Sequence, residues 1–195
     1  NKAKKTASTS KSKKTSIKKR KKHIVKKPAP IKIDYNKVSK MIEYGYYDDA
    51  DRILEGAIKR NSKDINAQSL WAVSLAKQCK LDPAQNELNE LLKKYPNDSN
   101  LHYAQGVVYY QRTTSSNMFY RSNTLKLIDD AMAEFKKAIS HDKNNARAYN
   151  AIGVISLNQG KQKEAKEYFN KAISADKTYS LAIDNLGTMD LIAGK

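Results

Sequence analysis

Three histidines, one cysteine and two adjacent acidic pairs are the side chains of this 195-residue chain best suited to nucleophilic, acid–base or metal chemistry. A histidine metal site needs several ligands at short, regular spacing. His23, His102 and His141 lie far apart in sequence with no second ligand at such a spacing, so no metal site is expected. Cys79 is alone, which excludes a disulfide within the chain, and at a turn between two expected helices it reads as structural. Asp48–Asp49 and Asp129–Asp130 resemble proton-sharing carboxylates, but each pair closely precedes an alanine that opens a helical pattern. Negative charge at that place offsets the positive end of the helix dipole. A glycine-rich phosphate loop is also missing. These residues supply neither a catalytic constellation nor a cofactor site, and function must reside in the surface that the elements build.

Those elements repeat. Ala50, Ala84, Ala131 and Ala165 are each followed four residues later by a bulky apolar residue: Leu54, Leu88, Phe135 and Phe169. Three further on comes Ala57, Leu91, Ala138 or Ala172. Steps of four and three put each triplet on one helical face. The leading alanines stand 34, 47 and 34 residues apart, a repeat with one insertion of 13 residues. A second helix is expected upstream of each alanine, as in "ARAYNAIGVISLNQG" (146–160). In it Gly153 falls where two helices must approach closely, with Gly106 at the corresponding earlier place. Gly45 and Gly160 are placed to end such helices in a left-handed cap. Asp82 and Pro83 read as the cap residue and first-turn proline of the helix that follows.

Charge is unevenly spread. The chain carries a net +17, and 13 of its 37 Lys/Arg but none of its 20 Asp/Glu fall in residues 1–27. That stretch has almost nothing to bury, so residues 1–30 are expected to be a disordered Lys-rich tail ending in a stiff Pro-containing linker. No apolar run approaches the ~20 residues of a membrane span.

The register resembles the tetratricopeptide repeat, whose period is ~34 residues. In the last full unit Tyr149, Ile152, Gly153, Ala165, Phe169 and Ala172 carry the resemblance. It covers residues 31–195 and implies units at 31–64, 65–98, 99–145 (with the insertion) and 146–179, with a partial unit at 180–195. The implied fold is all-α: a right-handed α-solenoid of antiparallel helix–turn–helix repeats. A solenoid buries its apolar faces by stacking, so an array ending on a single helix is expected to continue beyond Lys195.

The resemblance further implies that the first helix of each unit lines an inner, concave face. The side chains expected there include Tyr35, Asn66, Val73, Asn100, Tyr103, Val107, Tyr110, Arg147, Asn150, Val154 and Leu157. Mixed apolar, tyrosyl and amide groups suit an extended peptide or partner helix. Some relatives grip a peptide's terminal carboxylate with cationic side chains at set places. Tyr35, Ser39, Leu70, Asn100 and Ala104 occupy those places here, so that carboxylate clamp is not expected. Met118, Phe119 and Tyr120, in the middle of the insertion, form a candidate second contact, weighed against two helices that are simply longer.

The sequence thus reads as a non-enzymatic scaffold or adaptor for a protein or peptide partner, with no cofactor and no small-molecule substrate. The tail adds electrostatic attachment, in the form of weak non-specific binding to nucleic acid or an anionic membrane. Two rival readings stand beside it: a nucleic-acid-associated protein acting through the tail, and the docking region of a larger enzyme. Compartment is not fixed. A cytoplasmic location is favoured, and the start at Asn1 leaves room for a removed signal or an upstream anchor.

Overall fold

The computed structural model describes residues 32–114 and 123–192. The described residues form α1 (Tyr35–Glu43), α2 (Tyr47–Arg60), α3 (Ile65–Lys77), α4 (Leu81–Lys94), α5 (Ser99–Thr113), α6 (Thr124–His141), α7 (Ala146–Asn158), α8 (Gln162–Ala175) and α9 (Ser180–Ile192), and no strand occurs among them. The expected tail over residues 1–30 and the candidate contact Met118, Phe119 and Tyr120 lie outside the described residues.

The helices start in two alternating ways. Those that open a hairpin are capped by a side chain: Asp34, Asp64, Asp98 and Asn145 accept from first-turn N–H groups of α1, α3, α5 and α7 at 3.0–3.1 Å. Such oxygens satisfy donors that have no partner inside the helix. The helices that close a hairpin, α2, α4, α6 and α8, have no side-chain cap bond. Three of them leave directly from a left-handed turn. Gly45, Cys79 and Gly160 have φ of +83°, +61° and +77°. In each, the next residue's N–H reaches back to the last turn of the preceding helix: Tyr46 to Met41 O, Lys80 to Leu75 O and Lys161 to Ser156 O. This six-residue closure satisfies otherwise orphaned carbonyls and reverses the chain into a hairpin.

Two local expectations need correction. Helix α4 starts at Leu81, not after Asp82, so Asp82 and Pro83 sit inside its first turn. Pro83 is tolerated because the first four N–H groups of a helix have no intrahelical acceptor. Asp48 and Asp49 do open α2, but Asp129 and Asp130 lie inside α6. There the Asp130 carboxylate takes Lys126 Nζ at 2.6 Å, one turn away. The insertion explains the displacement. Helices α2, α4 and α8 have 14 residues each, whereas α6 has 18, so part of the insertion is an extra turn at its start.

Each hairpin closes by placing a bulky group on a small one. Phe135 and Phe169 are 1% and 0% exposed. A Cβ added at Gly106 would lie 2.6 Å from the Phe135 ring, and one added at Gly153 would lie 2.5 Å from the Phe169 ring. The ring therefore takes the space a side chain would need. At Gly187 of α9, a Cβ would meet nothing within 4 Å, so the demand comes from the facing ring. Ala50, Leu54, Ala84, Leu88, Ala131, Ala165 and Ala172 are all fully buried at the corresponding interfaces. Between hairpins, α2 packs on α3, α4 on α5, α6 on α7 and α8 on α9, so the buried surface accumulates from neighbour to neighbour.

This packing makes two stability effects measurable. Gly153→Ala should destabilise by roughly 1 kcal/mol or more, because overpacking outweighs the gain in helix propensity, while Gly187→Ala should be neutral or stabilising. Cys79→Gly should stabilise by about 1 kcal/mol by relieving a left-handed backbone that side chains disfavour. Urea denaturation midpoints of the three variants would test both.

Candidate functional site

The second residues of α3, α5 and α7 are Asn66, Asn100 and Arg147, and they join in a line. Asn100 Nδ2 donates to Asn66 Oδ1 at 3.1 Å, and Arg147 Nη2 donates to Asn100 Oδ1 at 2.6 Å. The Arg147 guanidinium lies 4.9 Å from the centre of the Tyr103 ring, on its face. This stacking holds the cation through the ring quadrupole. Among the described residues Arg147 forms no ion pair; its hydrogen-bond acceptors are neutral, with Ser39 Oγ at 3.4 Å from Nη1 as the second.

Helix α1 reaches across this row. Glu43, its last residue, accepts from the Tyr103 hydroxyl at 3.2 Å and pairs with Lys77 Nζ at 3.3 Å. Tyr44, just beyond the helix, meets Ser180 Oγ at 3.1 Å at the start of α9. The Tyr35 hydroxyl bonds to Asp64, the residue that caps α3. One carboxylate thus serves both caps and contacts: Oδ1 of Asp64 starts α3 and Oδ2 fastens α1 to it. Beside these bonds lies an open-sided cavity of about 350 Å³ lined by α1, the starts of α3, α5, α7 and α9, and the turns before α7 and α9.

The tyrosines here hold their protons firmly. Burial, then the bond to Asp64, pushes the Tyr35 phenol up to about 12. Burial followed by the charge of Glu43 also raises Tyr103 and Tyr179 well above the ordinary phenol value. Each keeps its proton at any physiological pH.

Burial divides the expected inner-face residues. Val73, Tyr103, Val107 and Asn150 are 2%, 4%, 6% and 8% exposed. All four are buried, and Tyr103 and Asn150 correct the expectation of exposed contacts. The physical reason is cover: α1 caps Tyr103 through Glu43, and Asn185 of α9 donates to Asn150 at 2.9 Å. Asn66 is exposed, while Tyr35, Asn100, Tyr110, Arg147, Val154 and Leu157 are half-buried. Tyr110 lies away from the row, its hydroxyl accepting from Asn158 Nδ2 at 2.7 Å. Glu43, Lys77, Tyr44 and Ser180 were not singled out by the sequence pattern, since their partners lie 34–136 residues away. Among the described residues no three His, Cys, Asp or Glu gather to hold a metal ion, and no helix is long and apolar enough to cross a membrane.

An all-helical chain of repeated hairpins with a polar inner row is a solenoid-type repeat protein. Two family models described as tetratricopeptide repeat match it, one over residues 41–107 and one over 146–179, together about half of the chain. The chain is a tetratricopeptide-repeat protein. The crystal structure of TTC0263, a thermophilic TPR protein of Thermus thermophilus, is similar with a TM-score of 0.61 at 18% identity, over 83% of this chain and 84% of that one. A crystal structure of MamA aligns with a TM-score of 0.47 at 18% identity, over 84% and 87% of the two chains. No curated protein matches the sequence.

The stack of Arg147 on Tyr103 can be measured directly. Arg147→Met should cost about 1 kcal/mol in the wild type and in Tyr103→Phe, but clearly less in Tyr103→Leu, where the ring is gone. A double-mutant cycle by urea denaturation would read the difference.

Proposed function

We infer that this chain is a non-enzymatic adaptor that holds an extended segment of a protein partner along the row Asn66, Asn100 and Arg147. Tetratricopeptide-repeat proteins are in general non-catalytic scaffolds for protein–protein contact, and the family supports that coarser statement for this chain. One observation carries the finer reading: three polar side chains at the same place in successive repeats are hydrogen-bonded in line at the mouth of a cavity. Side-chain amides offer one donor face and one acceptor face, as does each peptide group of an extended chain. The cavity beside them has room for a short stretch of such a chain, with Leu70 and Leu181 as its apolar wall. Preorganisation supports affinity here, because Arg147 is already fixed by Tyr103 and by Asn100.

The basic stretch favours a second role. The 13 Lys/Arg of residues 1–27, with no acid among them, would attach the chain to a polyanion by charge alone. Without interleaved aromatic residues it would not read bases.

Selection of peptides from a random library on the full chain, followed by fluorescence anisotropy, tests the groove. Asn66→Ala/Asn100→Ala/Arg147→Met should weaken the selected peptides at least about tenfold, the scale of losing central hot-spot contacts, while Lys171→Ala on α8 should not. Equal affinity in all variants would overturn the groove assignment. Deletion of residues 1–27 should leave that binding intact and abolish salt-sensitive retention on heparin.

A further inference from the structure

We propose that His102 is a doubly protonated imidazolium that latches α5 to α6 and to the α4–α5 turn, making the third hairpin sensitive to pH. The proposal stands apart from the groove reading. His102 is only 7% exposed. Its Nδ1 lies 2.6 Å from Glu134 Oε2 and its Nε2 lies 2.8 Å from the main-chain oxygen of Pro96. A neutral imidazole carries one N–H and would turn its bare nitrogen towards an acceptor at one of these contacts. The Pro96 carbonyl cannot donate. The Glu134 carboxyl would have to be protonated to do so, and Lys137 Nζ, 2.7 Å from its other oxygen, favours the ionised form. Two protons on His102 satisfy every group.

The charges around the ring agree with this. From α6 it faces Glu134, Lys137 and His141, and from the turn only the Pro96 carbonyl. The ring of His141 stacks on it at 5.2 Å between centroids. The bond to Glu134 raises the His102 pKa above the ordinary 6.5, outweighing burial. For Glu134, burial acts upward, but the bonds from His102 and Lys137 prevail and hold it below the usual carboxylate value.

The signs bound a pH window. A raised histidine contributes stability that is complete below about 6.5, the unfolded value, and is lost as pH rises through the folded value. A depressed carboxylate contributes stability that is lost as pH falls through its folded value. The latch is therefore closed between the two. Outside that band a buried oxygen or ring nitrogen loses its partner, and α5 is less firmly held. Helix α5 also carries Asn100 and Tyr103, so the latch fixes the rotation that brings both to Arg147.

The test is a carbon-detected NMR titration of the ring C–H groups of His23, His102 and His141 in the full chain over about pH 5–9, the span in which imidazoles titrate. Assignments come from His23→Gln and His141→Gln. The midpoint of His102 should lie above 6.5, the ordinary value. The urea midpoint of the wild type should fall as pH rises through that value, along with amide protection factors in α5. Glu134→Gln should lower the His102 midpoint and remove most of this fall. A wild-type His102 midpoint at or below 6.5 would overturn the proposal, and the titration needs no variant at Glu134. So would an equal decline of stability in Glu134→Gln.

Discussion

A phenyl ring lying on a glycine sets the geometry from which much else follows. With Phe169 over Gly153 and Phe135 over Gly106, the two helices of a hairpin approach until no side chain fits between them. Dispersion and apolar burial reward that closeness, and a single methyl in the gap would forfeit it. Because the same contact recurs in two adjacent hairpins, the first helices of those hairpins come to lie with equivalent faces turned the same way. Residues at one place in each repeat then meet in space. Asn100 and Arg147 meet for that reason, and Asn66, at the same place in the preceding repeat, extends the row.

The inner face that results is held by few charges and many neutral donors. Glu43 is shared between Lys77 and the Tyr103 hydroxyl, and Arg147 rests on a tyrosine face and on an amide oxygen. Neutral partners leave a guanidinium more of its capacity to bind something else than a carboxylate would. The buried phenols keep their protons, so they do not change charge with pH. His102, held between Glu134 of α6 and the Pro96 carbonyl, bears on the packing of α5 and not on the row directly.

Repetition also makes departures tolerable. Cys79 adopts the left-handed conformation that glycine supplies at Gly45 and Gly160, a cost of about 1–2 kcal/mol borne by the surrounding closure. The insertion of 13 residues falls between α5 and α6, where it lengthens α6 by a turn without disturbing the contact of Phe135 with Gly106. Each repeat touches mainly its neighbours, so a local change stays local.

Period and spacing alone determined the helical character, the hairpin repeat and the small-on-large pairing, because these depend on residues three, four or some thirty positions apart in a regular pattern. The absence of a ligand-spaced histidine or cysteine set was equally plain in the residue order. Only the tertiary structure decided which inner-face residues are open. Tyr103 and Asn150 share the spacing of Asn100 and Arg147, yet Glu43 from the first repeat and Asn185 from the repeat that follows Asn150 cover them. The same holds for Tyr44 meeting Ser180. Such contacts depend on how successive hairpins are rotated on one another, a quantity summed over many interfaces that no short stretch of sequence encodes.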